Sequence, residues 1–200
     1  ETKMTEKILS GRIAIITGAN QGLGKEISRS YVTAGADVML CARNYDLLEK
    51  VEFELNPLLG ENQKIFIKKC DVTNENEVNA LVHDTLDKLG GCQILVNNAG
   101  IYGPKGAIED QDWDEWKKAI EINVFGSVLM CRALIPHFKR QNYGKIIQLS
   151  GGGATKPLPN LSVYATSKAA IVRFADTLAE EVRSFGIDVN AIAPGALNTN

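Results

Sequence analysis

The chain has 200 residues, 44% hydrophobic and 23% charged, enough apolar surface to build one packed core, and residues 1–200 read as a single domain. Its formal net charge of -2 gives no electrostatic reason to expect nucleic acid or an anionic membrane as a partner. Cys41, Cys70, Cys92 and Cys131 lack metal-ligand spacing and read as reduced, buried thiols; no apolar leader opens the chain and no apolar run suggests a bilayer span, so a cytoplasmic protein without a metal is expected.

Ile13 to Ile16 is a short β-branched run, followed by the glycine-rich turn Thr17 to Gly24 and a stretch, Lys25 to Ala34, with apolar residues at helical spacing. Strand, glycine turn and helix is the arrangement that points backbone N–H groups and a helix N-terminus at a phosphate. Gly18, Gly22 and Gly24 permit the turn and the close approach, with Asn20, Gln21 and Leu23 between them. Ala36 to Ala42 is a second strand, and Asn44 or Asp46 caps a helix through Leu58. Lys64 to Cys70 is strand three, and Asn74 caps a helix closed by Gly90-Gly91. Gln93 to Asn97 is strand four, ending in Asn98-Ala99-Gly100. A long helical region from about Gln111 to Phe138, bent near Pro136, leads to strand five at Gly144 to Ser150. Leu161 to Phe185 is helical, and Ile187 to Ala193 is strand six.

Alternating strands and helices, with strands apolar on both faces, predict an α/β doubly wound parallel sheet of the Rossmann type in the order 3-2-1-4-5-6. The ligand crevice then lies at the carboxyl ends of strands one and four. Tyr164 and Lys168 stand four apart on one helix face. A phenol titrates near pH 10, too high for easy proton exchange at neutrality, and a nearby ammonium favours the phenolate. The pair can therefore serve as general acid or base at a carbonyl/alcohol centre.

These residues together resemble the short-chain dehydrogenase/reductase family over essentially the whole length. The resemblance is carried by Thr17-Gly18-x-x-x-Gly22-x-Gly24, Asp71-Val72, Asn97-Asn98-Ala99-Gly100, Asn123, Tyr164-x-x-x-Lys168 and Pro194-Gly195-x-x-x-Thr199, in the family's order. It implies nicotinamide-dependent oxidoreduction, most like the family's 3-oxoacyl-carrier-protein reductases. By that resemblance Asp71 and Val72 flank the adenine, and Asn98, Ala99 and Gly100 line the cofactor. Lys168 grips the nicotinamide ribose and tunes Tyr164, Asn123 supports a proton relay, and Pro194, Gly195 and Thr199 face the nicotinamide. It also implies a homodimer or homotetramer built on the long helices, and a seventh strand with a substrate-covering region beyond Asn200.

At the end of strand two, where an acidic side chain would meet a free ribose 2′-hydroxyl, stand Ala42, Arg43 and Asn44. A guanidinium there suits a 2′-phosphate, which predicts NADP(H) in preference to NAD(H). One position departs from the family. The catalytic serine is expected where Gly151 stands, with Ser150 beside it in Ser150-Gly151-Gly152-Gly153. Either Ser150 is re-aimed or backbone N–H groups replace the hydroxyl, and Ser162 ranks below Ser150. His83 and His137 lack ligand-spaced partners, Trp113 and Trp116 read as packing residues, and Tyr102 and Lys105 read as a surface loop as readily as a substrate contact. The expected activity is reduction of a ketone or other small carbonyl compound with NADPH. The alternatives are a cofactor-binding sensor or scaffold without turnover, and a sugar-nucleotide epimerase or dehydratase.

Overall fold

The computed structural model describes residues 7–195. The elements in chain order are β1 (Ile13–Thr17), α1 (Gly22–Thr33), β2 (Asp37–Ala42), α2 (Tyr45–Leu55), β3 (Ile65–Lys69), α3 (Glu75–Leu89) and β4 (Ile94–Asn97). There follow α4 (Trp113–Ile120), a π-helical turn (Glu121–Phe125), α5 (Gly126–Gln141), β5 (Gly144–Leu149), α6 (Ser162–Val182) and β6 (Ile187–Ile192).

The six strands form one sheet in the order β3-β2-β1-β4-β5-β6, every neighbouring pair parallel. All five residues of β1 are buried because the sheet is covered on both faces and β1 lies near its middle. Alternate residues supply the two cores. Ile15, Met39, Leu95 and Ile146 face α3, α5 and α6 through Leu81, Leu134, Phe138 and Leu178. Ala14, Ile16, Val38 and Leu40 face α1 and α2 through Val32, Leu48, Val51 and Leu55. This period-two alternation fixes the register, since a slip of one residue would exchange the two faces.

Side-chain caps set several helix starts. Asn44, rather than Asp46, caps α2 by accepting from Leu47 N at 3.0 Å, and Asn74 caps α3 by accepting from Asn76 N and Glu77 N. Gly90 ends α3 with φ of 81°. The predicted irregularity near Pro136 falls elsewhere: the break between α4 and α5 is the π turn, and Pro136 sits inside α5. The continuous helix Trp113–Gln141 is long and apolar enough by length and composition to cross a membrane, contrary to the expectation from sequence. Its length comes from the joining of two amphipathic helices, and Met130, Cys131, Leu134 and Phe138 pack in the core beneath the sheet. All four cysteines are buried free thiols.

Candidate functional site

The site follows the carboxyl ends of the strands. After β1 the chain turns through Gly18 and Gly22, with φ of 63° and 53°, a region that L side chains seldom enter. Gly24 lies in the first turn of α1, where a Cβ would overlap both the Gly18 carbonyl and the Asn98 side chain. The start of α1 has no side-chain cap and no acidic residue in its first turn. Its amides are therefore available to an anion, and the cradle they share with Gly18 is one that a single methyl would fill. These features fit a pyrophosphate.

Asn98 and Thr17 hold β4 against this turn. Asn98 Nδ2 donates to the carbonyls of Thr17 and Gly18 at 2.9 and 3.1 Å. Thr17 Oγ1 accepts from the backbone N–H groups of Asn98 and Ala99, both at 3.0 Å. A cleft of about 480 Å³ runs from here across the sheet, lined by Gly18, Asn20, Gln21, Gly22, Leu23, Gly24, Arg43, Asn44, Asp71, Val72, Asn98, Ala99 and Gly100. Its walls also include Ile101, Tyr102 and Ile122. Asp71 is the one carboxylate in that lining, and its Oδ1 already accepts from Thr73 N and Thr73 Oγ1 at 3.0 and 2.8 Å. Asp37 is held at the start of β2, accepting from Lys64 N at 2.7 Å. Arg43 is exposed at the rim, in a shallow depression shared with Asn44, Asp46 and Lys69.

The cleft continues into a cavity of about 270 Å³ that contains Ser150, Tyr164, Lys168, Pro194 and Gly195 and shares Leu23, Asn98, Gly100, Ile101 and Tyr102 with the first. The glycine turn and the Tyr164/Lys168 pair thus open on the same space. Thr199, expected to face a nicotinamide, lies outside the described residues.

Lys168 is 7% exposed, and its Nζ donates to the Leu149 carbonyl at 2.7 Å. It stands 5.6 Å from the Tyr164 ring centroid. Burial lowers the Lys168 pKa to about 8. Burial also raises Tyr164, with a smaller push in the same direction from the neighbouring phenol of Tyr102. The lowering of the phenol expected from a nearby ammonium is therefore not what governs here: loss of water favours the neutral form of both groups.

Asn123 sits in the π turn, 2% exposed. Its Oδ1 accepts from Ile101 N at 2.8 Å, and its Nδ2 donates to Ile101 O at 2.8 Å and to Ser167 Oγ at 2.9 Å. Ser167 Oγ in turn donates to the Tyr164 carbonyl at 2.8 Å. One amide therefore fixes the loop after β4 against the helix that carries Tyr164. A π turn re-aims side chains relative to an unbroken α-helix, and such turns concentrate at functional sites. Neither the π turn nor Ser167 has a signature in the sequence.

Ser150 is 4% exposed and its Oγ donates to the Lys168 carbonyl at 3.1 Å, on the backbone of α6. Gly151 faces the phenol: a Cβ built there would stand 2.6 Å from the Tyr164 hydroxyl oxygen. Ser162 belongs to a different network, donating to Gln111 Oε1 at 2.9 Å and accepting from Trp116 Nε1 at 3.3 Å. Trp113 stacks on Trp116 at 5.5 Å, and His137 Nε2 meets the Cys92 backbone at 3.2 Å. Among the described residues no three His, Cys, Asp or Glu side chains gather as metal ligands.

Residues 12–200 match the family model described as short chain dehydrogenase. The chain is 38% identical over 192 residues to the 7alpha-hydroxysteroid dehydrogenase of Escherichia coli K12, covering 96% of this chain and 73% of that protein. A solved structure of 7 alpha-hydroxysteroid dehydrogenase complexed with NADH and 7-oxo glycochenodeoxycholic acid superposes with a TM-score of 0.90 at 36% identity, over 97% of this chain and 74% of that one. The NADH complex of 3-ketoacyl-(acyl-carrier-protein) reductase from Brucella melitensis superposes with a TM-score of 0.89 at 33% identity, over 96% and 78% of the two chains.

Proposed function

From the premise that this chain belongs to the short-chain dehydrogenase family, we propose that it reduces a ketone to a secondary alcohol, or the reverse, with Tyr164 as the proton-transfer group. The observation that carries this reading is the shared cleft, onto which both the uncapped start of α1 and the Tyr164/Lys168 pair open. A nicotinamide dinucleotide supplies or accepts the hydride when bound. In the reducing direction hydride adds to the carbonyl carbon, the C=O pair moves to oxygen, and Tyr164 delivers its proton to that oxygen. Lys168, fixed on the Leu149 carbonyl, holds a positive charge beside the phenol as it becomes phenolate. Asn123 keeps Ile101 and α6 in register so that the phenol stays at the cavity wall.

Arg43 at the end of β2, with Asp37 held at the other end of the strand, supports NADP(H) over NAD(H). The relatives whose complexes contain NADH bear on the opposite reading. Steady-state kinetics with both cofactors decide it: NADPH preferred, with the preference lost in Arg43→Ala, supports the proposal, and an NADH preference unchanged by Arg43→Ala overturns it. For the substrate, the 33% identity to a 3-ketoacyl-(acyl-carrier-protein) reductase supports a 3-oxoacyl thioester, and the 38% identity to a hydroxysteroid dehydrogenase supports a cyclic ketone. Parallel assays with a 3-oxoacyl thioester and a 7-oxo bile acid separate them.

Gly151 favours a second reading, a cofactor-binding sensor or scaffold without turnover. Cofactor binding with no reduction across a broad ketone panel would select it. We also propose assembly as a homodimer or homotetramer, supported by Trp113 and Phe125, exposed at 64% and 55% on the long helix, and residence in the cytoplasm, supported by four unpaired buried thiols. A monomer in sedimentation at micromolar concentration would remove the assembly proposal.

A further inference from the structure

Reduction of a ketone places negative charge on its oxygen, and one donor, Tyr164, must give up its proton as that happens. A second donor that keeps its proton stabilises the same oxygen throughout. Neither residue at the expected position can supply it in this geometry. Gly151 has no hydroxyl, and the Tyr164 hydroxyl already occupies the space that a side chain there would need. Ser150 spends its hydroxyl on the Lys168 carbonyl, on the backbone of the helix.

A second phenol lines the same cavity, against the Tyr164 ring. Tyr102 directly follows Ile101, whose two backbone groups Asn123 grips, so its backbone is held by two partly buried hydrogen bonds. Its ring lies 4.7 Å from the Tyr164 ring, tilted by 31°, and it lines the cavity that holds Tyr164, Lys168 and Ser150. The Lys105 ammonium sits 5.1 Å from the centre of the Tyr102 ring, within cation–π range. Tyr102 remains 56% exposed, so its side chain can meet a ligand entering the cavity that it lines.

We infer that Tyr102 is the second hydrogen-bond donor to the substrate oxygen, its phenol replacing the hydroxyl absent at Gly151. The inference rests on the oxidoreductase reading above. Tyr102 keeps its proton through the reaction, and Tyr164 alone transfers one.

The test uses 1-phenyl-1,2-propanedione as the carbonyl probe and Tyr102→Phe, which keeps the ring and its packing and removes the hydroxyl. The expected result is a fall in kcat of about 100- to 1000-fold with KM within a few-fold of wild type. A second readout needs no turnover: the infrared stretch of the 13C-labelled carbonyl bound to Tyr164→Phe, which should move to higher frequency when Tyr102→Phe is added. Unchanged kcat and an unchanged stretch in Tyr102→Phe, with turnover still lost in Tyr164→Phe, would overturn the inference and leave the oxidoreductase reading intact, the backbone N–H groups near Gly151 then being the donors. Full turnover in Tyr164→Phe would instead remove the oxidoreductase reading, and this inference with it.

Discussion

Lys168 Nζ donates to the carbonyl of Leu149 at 2.7 Å, tying α6 to the last residue of β5. The ammonium that would grip a ribose is thus oriented by the sheet before any ligand arrives, at the cost of burying a charge. Burial lowers its pKa to about 8, whereas an unfolded lysine titrates near 10.4. Between those values the unfolded chain binds more protons, so stability rises with pH across that window and the penalty is fully present below pH 8. Tyr164, raised by burial, acts in the opposite sense only near and above pH 10. Urea midpoints should therefore climb from pH 8 to 9.5 more steeply in wild type than in Lys168→Met. Parallel curves for the two proteins would show that Lys168 is protonated normally in the fold.

Thr17 is a single hydroxyl serving two backbone donors, and Thr17→Val keeps the shape while leaving the Ala99 amide without its acceptor and the Asn98 amide with only the Val96 carbonyl at 3.2 Å. Leaving a donor unsatisfied costs about 1–3 kcal/mol, so the variant should lose about 1–3 kcal/mol in chemical denaturation and bind nicotinamide cofactor more weakly. A neutral Thr17→Val would mean that the turn after β4 is held elsewhere.

Gly24→Ala sets a Cβ against the Gly18 carbonyl and within 2.5 Å of Asn98 Nδ2, at the turn proposed to cradle a pyrophosphate. Overpacking of this kind typically costs about 1–3 kcal/mol, and cofactor affinity should fall with stability. Gly152→Ala is the matched control, since a Cβ there meets nothing within 4 Å. Equal cofactor affinity in the two variants, measured by calorimetry, would contradict this placement of the pyrophosphate.

Asn123→Ala removes three hydrogen bonds and orphans the Ile101 amide and carbonyl. The expected loss is about 2–4 kcal/mol, with kcat reduced more than cofactor affinity because the loop carrying Tyr102 is released. Asn123→Asp should fare no better, as a carboxylate oxygen would face the Ile101 carbonyl. Wild-type kcat in either variant would remove the positioning role.

Much of this was legible in the sequence because it is written in local pattern. The continuous apolar runs Ile13–Ile16 and Val38–Cys41 are buried on both faces, which is what a parallel sheet requires. Asn74 announces α3 because its side chain can satisfy the amides of the next residues without any tertiary partner. Helix α1 begins at Gly22, earlier than the predicted Lys25, because close packing against Asn98 overrides the poor helix propensity of Gly22 and Gly24. The π turn was not legible: its reason is the meeting of Asn123 with Ile101 and Ser167, 22 and 44 residues away. The same holds for Tyr102, whose approach to Tyr164 depends on how that loop closes.

The most direct measurement is turnover and cofactor binding in Tyr164→Phe, using a panel of ketones with NADPH and NADH. Removal of one hydroxyl from the shared cleft should leave the cofactor dissociation constant within about threefold, since the turn at Gly18 and Lys168 are untouched, while reduction falls by about 100- to 10,000-fold. Undiminished reduction by Tyr164→Phe would contradict the assignment of Tyr164 as the proton donor.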